Sequence, residues 1–441
     1  MLSERSEHIK VWFLLTVLIS FLLLSVVARD SLIFIFSLFF ITVPLVSLLL
    51  SEDDKRFVLM TVTLAFLVRV LIAYVLHVNS WHRGFEGFIS GDDRLYSLKA
   101  LKMALVWQHL PYNSISDSGG LTYGINSFTR ALVIIYRFFE ANYFNSKMLN
   151  CYLGAVTPVF IFFIGKRLFS PAVGKGAMAI TAFYPSLVRW SVCNLKDTLI
   201  IFCLASFFFL LFTTKKDMAG LLKFIAMLVV LSLLKSLQSI CMYAIAGASA
   251  VWGLRKVSTM LKSKMVRVVL ILFLIVYAFV WYDLLKPHVY DGLVFLATYQ
   301  SGMCTADSAG YSLYSHDFIK QLQRFELDIP TLSFAYIKGM IYFIFSPFPW
   351  KINSLNQLMA YPEVVIWYFL VFFAMIGVCS GFKRFPQETL FVLSFVVIGI
   401  SLLALGEGNI GAAFRHRGYF APLIFIYAAA GMTHIFKRGS T

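Results

Sequence analysis

FVLMTVTLAFLVRVLIAYVLHV, residues 57–78, is the stretch on which the fold turns. A helix crossing the hydrocarbon of a bilayer needs about 20 apolar residues. This run supplies them with a single charge, Arg69, and a polar segment, SEDDKR (51–56), precedes it. Comparable runs recur near 11–28, 31–50, 148–165, 175–193, 197–214, 219–236, 239–254, 266–285, 362–381, 388–405 and 418–436. The chain is therefore expected to be all-α and polytopic, with about twelve transmembrane helices in one domain spanning 1–441. The first run, after MLSERSEHIK, reads as an uncleaved span, because no small-residue cleavage site follows it.

Composition points the same way. Hydrophobic residues make up 60% of the chain and charged residues 14%, against about 25% charged in a soluble domain. That is too little polar surface to cover the chain in water. The formal net charge is +16, but the basic residues sit in short segments between apolar runs, with no contiguous basic domain and no zinc-finger spacing. Nucleic acid is therefore not an expected partner. The six cysteines are scattered, mostly in apolar segments, and do not form a disulfide framework.

Charge also sets the expected topology. With the N-terminus cytoplasmic, Lys55-Arg56, Lys166-Arg167 with Lys175, Lys215-Lys216, the cluster from Arg255 to Arg267, Lys383-Arg384 and Lys437-Arg438 all fall on the cytoplasmic side. This is the positive-inside pattern. It holds only if 121–139 does not cross, so that stretch is read as an interfacial amphipathic helix carrying Arg130 and Arg137. Two long outer loops remain, roughly 79–147 and 286–361, and loops of that length are usually functional.

Three polar groups share the expected outer membrane level. The first is Gly91-Asp92-Asp93-Arg94-Leu95-Tyr96. A carboxylate in low dielectric can act as general base on a hydroxyl, while Gly-Asp-Asp also suits a solvated turn. The second runs from Tyr184-Pro185-Ser186 through Trp190 and Asn194 to Lys196 and Asp197, where Asp197 is either a second carboxylate or the N-cap of its helix. The third, Gly406-Glu407-Gly408-Asn409-Ile410-Gly411, leads to Phe414-Arg415-His416-Arg417. Guanidinium forks match phosphate oxygens, so this is a phosphate site or a lipid-headgroup anchor. A fourth segment, Ser346-Pro347-Phe348-Pro349-Trp350-Lys351, fits a substrate wall or an aromatic belt. Phosphate-loop, nucleophile-elbow and zinc-protease motifs are absent from the sequence. Within the apolar runs the charges are few, Arg69, Lys223 and Lys235 among them, which argues against an ion pump.

In this order the motifs resemble the GT-C class of membrane glycosyltransferases, which includes the protein O-mannosyltransferases and the lipid A aminoarabinose transferases. The likeness is carried by Asp92-Asp93-Arg94-Leu95-Tyr96, by Leu149 to Pro158, by Pro185 to Asp197, and late in the chain by Arg415-His416-Arg417 with Pro422. It is best over about 85–215. The resemblance implies an inverting, hexosyltransferase-type enzyme in a bacterial inner membrane. The donor would be a polyprenyl-phosphate-linked sugar, and the acceptor an envelope glycan, lipid or protein. It implies Asp92 or Asp93 as base, Asp197 as second carboxylate, and Arg415, His416, Arg417 and Lys196 on the donor phosphate. Tyr96, Trp190 and Asn409 complete the expected substrate set, and a divalent metal bridging carboxylates and phosphate is an open alternative. Two departures stand out: two runs precede the family's usual first span, and no large C-terminal soluble domain is present. An O-antigen or exopolysaccharide polymerase or ligase, built around arginine and histidine, is the alternative enzyme. A lipid-sugar flippase is the alternative without catalysis.

Overall fold

The computed structural model describes residues 31–109, 125–139, 142–214, 218–260, 268–269, 272, 275–276, 282–305, 310–351 and 355–438. The expected span 11–28 lies outside the described residues, and 266–285 lies mostly outside them. The described chain is all-α, and among the described residues there is no strand, only a bridge between Gly310 and Asn409. Six described helices are long and apolar enough to cross a membrane: Glu52–His82, Tyr143–Leu168, Lys196–Thr213, Gly220–Leu237, Gln357–Arg384 and Pro386–Gly406. A seventh is counted if the pair Ile410–Tyr419 and Ala421–Phe436, bent by 67°, is one broken span. Many of their large apolar side chains face outward, such as Leu67, Leu222, Phe369 and Phe372. A lipid surrounding is the medium in which such faces are stable. The chain is an all-α integral membrane protein.

Packing divides it into two compact units, 1–237 and 238–441. The first contains α1 (Ser31–Leu48), α2 (Glu52–His82), α3 (Gly91–His109), α4 (Ser127–Phe138), α5 (Tyr143–Leu168), α6 (Pro171–Phe183), α7 (Pro185–Ser191), α8 (Lys196–Thr213) and α9 (Met218–Leu237). At one end of this unit the buried Asp54 of α2 meets Lys166 of α5 at 2.6 Å and Lys175 of α6 at 2.8 Å. The two basic stations Lys55-Arg56 and Lys166-Arg167 are thereby tied to the same end of the bundle. Asn142 caps α5 by accepting from the backbone N–H of Phe144 and Asn145, and Ser170 caps α6 by accepting from Val173.

The expected span 175–193 is not one helix. It breaks at Tyr184-Pro185 into α6 and α7. Proline has no N–H to continue the ladder and disfavours helical geometry in the residue before it, and Tyr184 is accordingly extended. Of the stretch 121–139, residues 127–138 form α4, at 12 residues only about 18 Å long. It buries Phe128, Leu132, Val133, Ile135 and Tyr136 and leaves Arg130, Ile134 and Arg137 outside. The first long loop is thus largely helical, being occupied by α3 and α4.

The second unit contains α10 (Ser239–Met260), α11 (Tyr282–Thr305), α12 (His316–Gln323), α13 (Ile329–Phe345), α14 (Leu355–Arg384), α15 (Pro386–Gly406), α16 (Ile410–His416) and α17 (Ala421–Arg438). The second long loop is therefore also mostly helix. α14 and α17 approach closely through glycine. A Cβ on Gly377 would lie 1.9 Å from the carbonyl oxygen of Tyr427, and one on Gly431 2.0 Å from that of Phe373. Small residues at such crossings let backbones meet in lipid, where packing rather than exclusion of water drives association.

Gly377→Ala tests this crossing. Helix propensity alone favours alanine by about 1 kcal/mol, while forcing the two helices apart costs about 1–3 kcal/mol. The variant should therefore lower the thermal midpoint of the purified protein in detergent. A raised midpoint would mean that propensity wins and that the helices do not touch there.

Candidate functional site

In the first unit the two neighbouring aspartates have different surroundings. The turn before α3 places Ser90 so that its hydroxyl accepts from the N–H of Asp93 at 3.2 Å. Asp93 is fully buried, as is Lys147 on α5, and they pair at 3.2 Å. The same carboxylate oxygen accepts from Ile89 N–H at 2.9 Å, and the other accepts from Asn194 N–H at 3.1 Å. Lys147 also donates to the carbonyl of Gly87 at 2.6 Å. Gly87 has φ +83, and a Cβ there would sit 2.2 Å from the His77 ring, so glycine is what the turn admits. Asp92, one residue earlier, is half-buried at the surface of the same first turn.

The network extends below this pair. The Asn194 side chain donates to Ser97 at 2.9 Å and to Ser146 at 2.8 Å, and Ser146 meets the Tyr136 hydroxyl at 3.0 Å. Burial pushes the Tyr136 phenol up to about 12, so it stays neutral and available to this network. Asn150 donates to the carbonyls of Cys193 and Leu195 at 2.6 and 2.8 Å. The turn at 192–195 is thus held by two asparagines from either side. Asp197 follows it, buried in the first turn of α8, where the helix N-terminus favours negative charge. Lys196 reaches the carbonyl of Leu237 at 3.1 Å, at the end of α9. Tyr96 packs edge-on against Phe128, at 5.9 Å and 89°. Trp190 packs against the core with the Arg189 guanidinium 5.4 Å from its ring centroid. Asp92, Asp93 and Tyr96 therefore share α3, and Asp93 joins the segment leading to Asp197 through Asn194. Lys147, Ser146 and Asn150 were not among the expected site residues. Their signal is visible afterwards as the polar start, Asn145-Ser146-Lys147, of an otherwise apolar helix.

In the second unit the late motif forms a polar bend between α15 and α17. Asn409 caps α16, its side-chain oxygen accepting from the N–H of Gly411 at 2.7 Å and Ala412 at 3.1 Å. His416, at the other end of α16, is hydrogen-bonded through Nδ1 to the buried carboxylate of Glu407. Its ring stacks on Tyr419 at 5.2 Å. The second oxygen of Glu407 is buried without a protein hydrogen bond among the described residues, and so is the hydroxyl of Tyr311. Burial, with the Glu407 carboxylate and Tyr342 nearby, holds the Tyr311 phenol well above the usual tyrosine range. Gln300 clamps this region by donating to the carbonyl of Tyr311 at 2.6 Å and accepting from Leu313 N–H at 3.3 Å. Tyr311 N–H in turn donates to the carbonyl of Gly408 at 2.7 Å.

Arg417 is buried, at 4% exposure. It donates to the carbonyl of Ile344 at 2.6 Å, and its guanidinium lies 5.3 Å from the Trp367 ring centroid and 4.8 Å from that of Phe414. Arg415, two residues away, is half-buried. Arg417 also lines an apolar groove of about 300 Å³ among α14, α15 and α17, together with Trp367, Val371, Met375, Val396 and Leu423. Among the described residues Arg417 is the only charged side chain in that lining. No three His, Cys, Asp or Glu side chains come together as a metal cage among the described residues. No protein-family model matches the chain, and no curated protein matches it.

The Asp93–Lys147 pair has a measurable signature. Removing one partner of a buried pair costs about 3–5 kcal/mol, whereas replacing both is far milder. Asp93→Asn and Lys147→Met should each unfold the protein at much lower temperature, and the double variant should recover part of the loss. Asp92→Asn should leave the thermal midpoint unchanged. Equal midpoints for the Asp92 and Asp93 variants would overturn the structural role of the pair.

Proposed function

We propose that the chain is a membrane glycosyltransferase whose donor is a sugar carried on a polyprenyl phosphate. The observation that supports this most is the groove of the second unit with Arg417 in its wall. An isoprenoid tail needs an elongated apolar channel open to lipid. Its phosphate needs a fixed, permanently charged donor where the channel meets polar groups, and guanidinium supplies planar, forked N–H donors for phosphate oxygens. Arg417 and the neighbouring Arg415 have that chemistry. In sugar transfer negative charge grows on the leaving phosphate, so such groups stabilise the transition state as well as the bound donor. The proposal includes the topology read from the basic stations: about twelve spans, cytoplasmic termini and a bacterial inner membrane, with Asp92, Asp197 and Arg415 outside.

Two bases compete for the acceptor proton. Asp92 is the member of the acidic motif with some access to solvent, since Asp93 is fully engaged. The Glu407–His416 pair favours the second reading, a polymerase or ligase acting on a lipid-linked oligosaccharide. A carboxylate on Nδ1 fixes the imidazole tautomer and leaves Nε2 to take a proton, and this pair lies in the same polar bend as Arg415 and Arg417.

Transfer from a purified polyprenyl-phosphate sugar, measured beside donor binding, separates these readings. Arg417→Ala should weaken donor binding, and Arg417→Lys should restore it only in part, because an ammonium lacks the fork. Loss of a general base should lower turnover about 10²–10⁴-fold with donor binding retained. That loss in Asp92→Asn supports the first reading, whereas the same loss in His416→Ala and Glu407→Gln, with Asp92→Asn active, supports the second. Unchanged donor binding in Arg417→Ala would remove the lipid-phosphate assignment altogether.

A further inference from the structure

α2 and α5 run antiparallel, since Asp54 at the start of one pairs with Lys166 near the end of the other at 2.6 Å. Their far ends, His82 and Tyr143, therefore lie at the opposite end of the unit, and α3 and α4 are strung between them. The Ser127 N–H at the start of α4 donates to the Ser236 hydroxyl at 2.9 Å, so α4 also meets the end of α9. Both helices thus lie where the ends of three long apolar helices come together. Neither crosses a membrane itself. α3 carries Asp92, Asp93, Arg94, Lys99 and Lys102, and α4, at 12 residues, is too short.

Each of the two helices buries one face and leaves another uncovered. In α3, Asp93, Ser97, Ala100 and Ala104 are buried, while Arg94, Leu95, Leu98, Lys102 and Leu105 are exposed. At helical period these five form one stripe about 100° wide. α4 repeats the pattern with Arg130, Ile134, Arg137 and Phe138. Leu95 and Phe138 are 61% and 62% exposed. Every charged residue on the two stripes is basic. Arg94 lies 4.0 Å from the exposed Glu86, and no carboxylate pairs with Lys102, Arg130 or Arg137 among the described residues.

We infer that the exposed faces of α3 and α4 bind the anionic phospholipid headgroups that border the bundle. The leucines, Ile134 and Phe138 gain by entering the acyl boundary, and the interleaved arginines and lysine reach phosphates on long apolar stems. Water would leave the apolar side chains hydrated. A second copy of the chain would set like charges against like. Zwitterionic lipid would take up the apolar residues without balancing the charges, so the mixed pattern fits a leaflet of net negative charge. Trp81, exposed at the end of α2, stands at the same level, where a membrane boundary favours tryptophan. This contact belongs to the first unit and is independent of the proposed transfer reaction.

Hydrogen exchange of the full chain, one molecule per nanodisc, tests the inference in phosphatidylcholine alone and with phosphatidylglycerol added. Exchange across 91–109 and 127–138 should slow severalfold with phosphatidylglycerol, and added salt should reverse the slowing. One basic residue near an anionic surface strengthens binding about fivefold. The triple variant Lys102→Gln, Arg130→Gln and Arg137→Gln should therefore lose roughly a hundredfold in preference for the anionic lipid, and with it the response. Leu98→Ser with Ile134→Ser should speed exchange of both helices in either lipid. All five positions are exposed, so these variants should keep the wild-type thermal midpoint in detergent. If the triple variant does not fold, the salt response of the wild type still decides the matter. Wild-type exchange indifferent to phosphatidylglycerol, slowing that salt does not reverse, or slowing that survives in the triple variant would overturn the inference. Protection that appears only when two chains share a disc would assign the faces to self-association instead.

Discussion

The ion pair between Asp93 and Lys147 governs how the first unit comes together. Both side chains are fully removed from solvent, and taking two charges out of water costs several kcal/mol per ion. Their mutual attraction offsets that only with further hydrogen bonds on the remaining donors and acceptors. Those bonds come from Ile89 and Gly87 in one turn and from Asn194 in another. To satisfy the pair, the turn at 86–90, the start of α3, the start of α5 and the turn at 192–195 must all be in place at once.

The same requirement acts on the second unit through different groups. Its chain bends between α15 and α17, and the bend exposes backbone that lipid does not solvate. Asn409 takes up the first N–H groups of α16, Gln300 ties 310–314 to the bend, and Glu407 meets His416. Arg417 donates to a carbonyl and lies over two aromatic faces. Polar side chains gather where helices break, because a break both frees backbone groups and opens room between helices.

The long helices were legible from composition alone. Apolar runs of spanning length have one stable arrangement in lipid, a helix with all backbone bonds internal. Residues 57–78, 148–165, 362–381 and 388–405 accordingly lie within helices long and apolar enough to cross a membrane, and 197–214 and 219–236 match two more to within one residue. Within 121–139 a helix was legible, and residues 127–138 form α4 with one face buried, but the sequence pattern alone also allowed a span, which only the placement of the basic stations argued against. The break in 175–193 was harder to read. Hydropathy averages over a window, while one proline at 185 acts locally on the ladder.

What the sequence determined by itself is the membrane class, the helical content and the residue types able to bind phosphate or move a proton. The tertiary structure decided which of two adjacent aspartates is consumed by an ion pair, because Lys147 is 54 positions from Asp93 and only packing brings it to 3.2 Å. It also decided that Asn409 caps a helix, that Lys196 serves the carbonyl end of α9, and that Glu407 belongs to His416. Each of these depends on direction and distance between segments. A linear pattern encodes the period of one helix, but not which polar atom of another helix faces it.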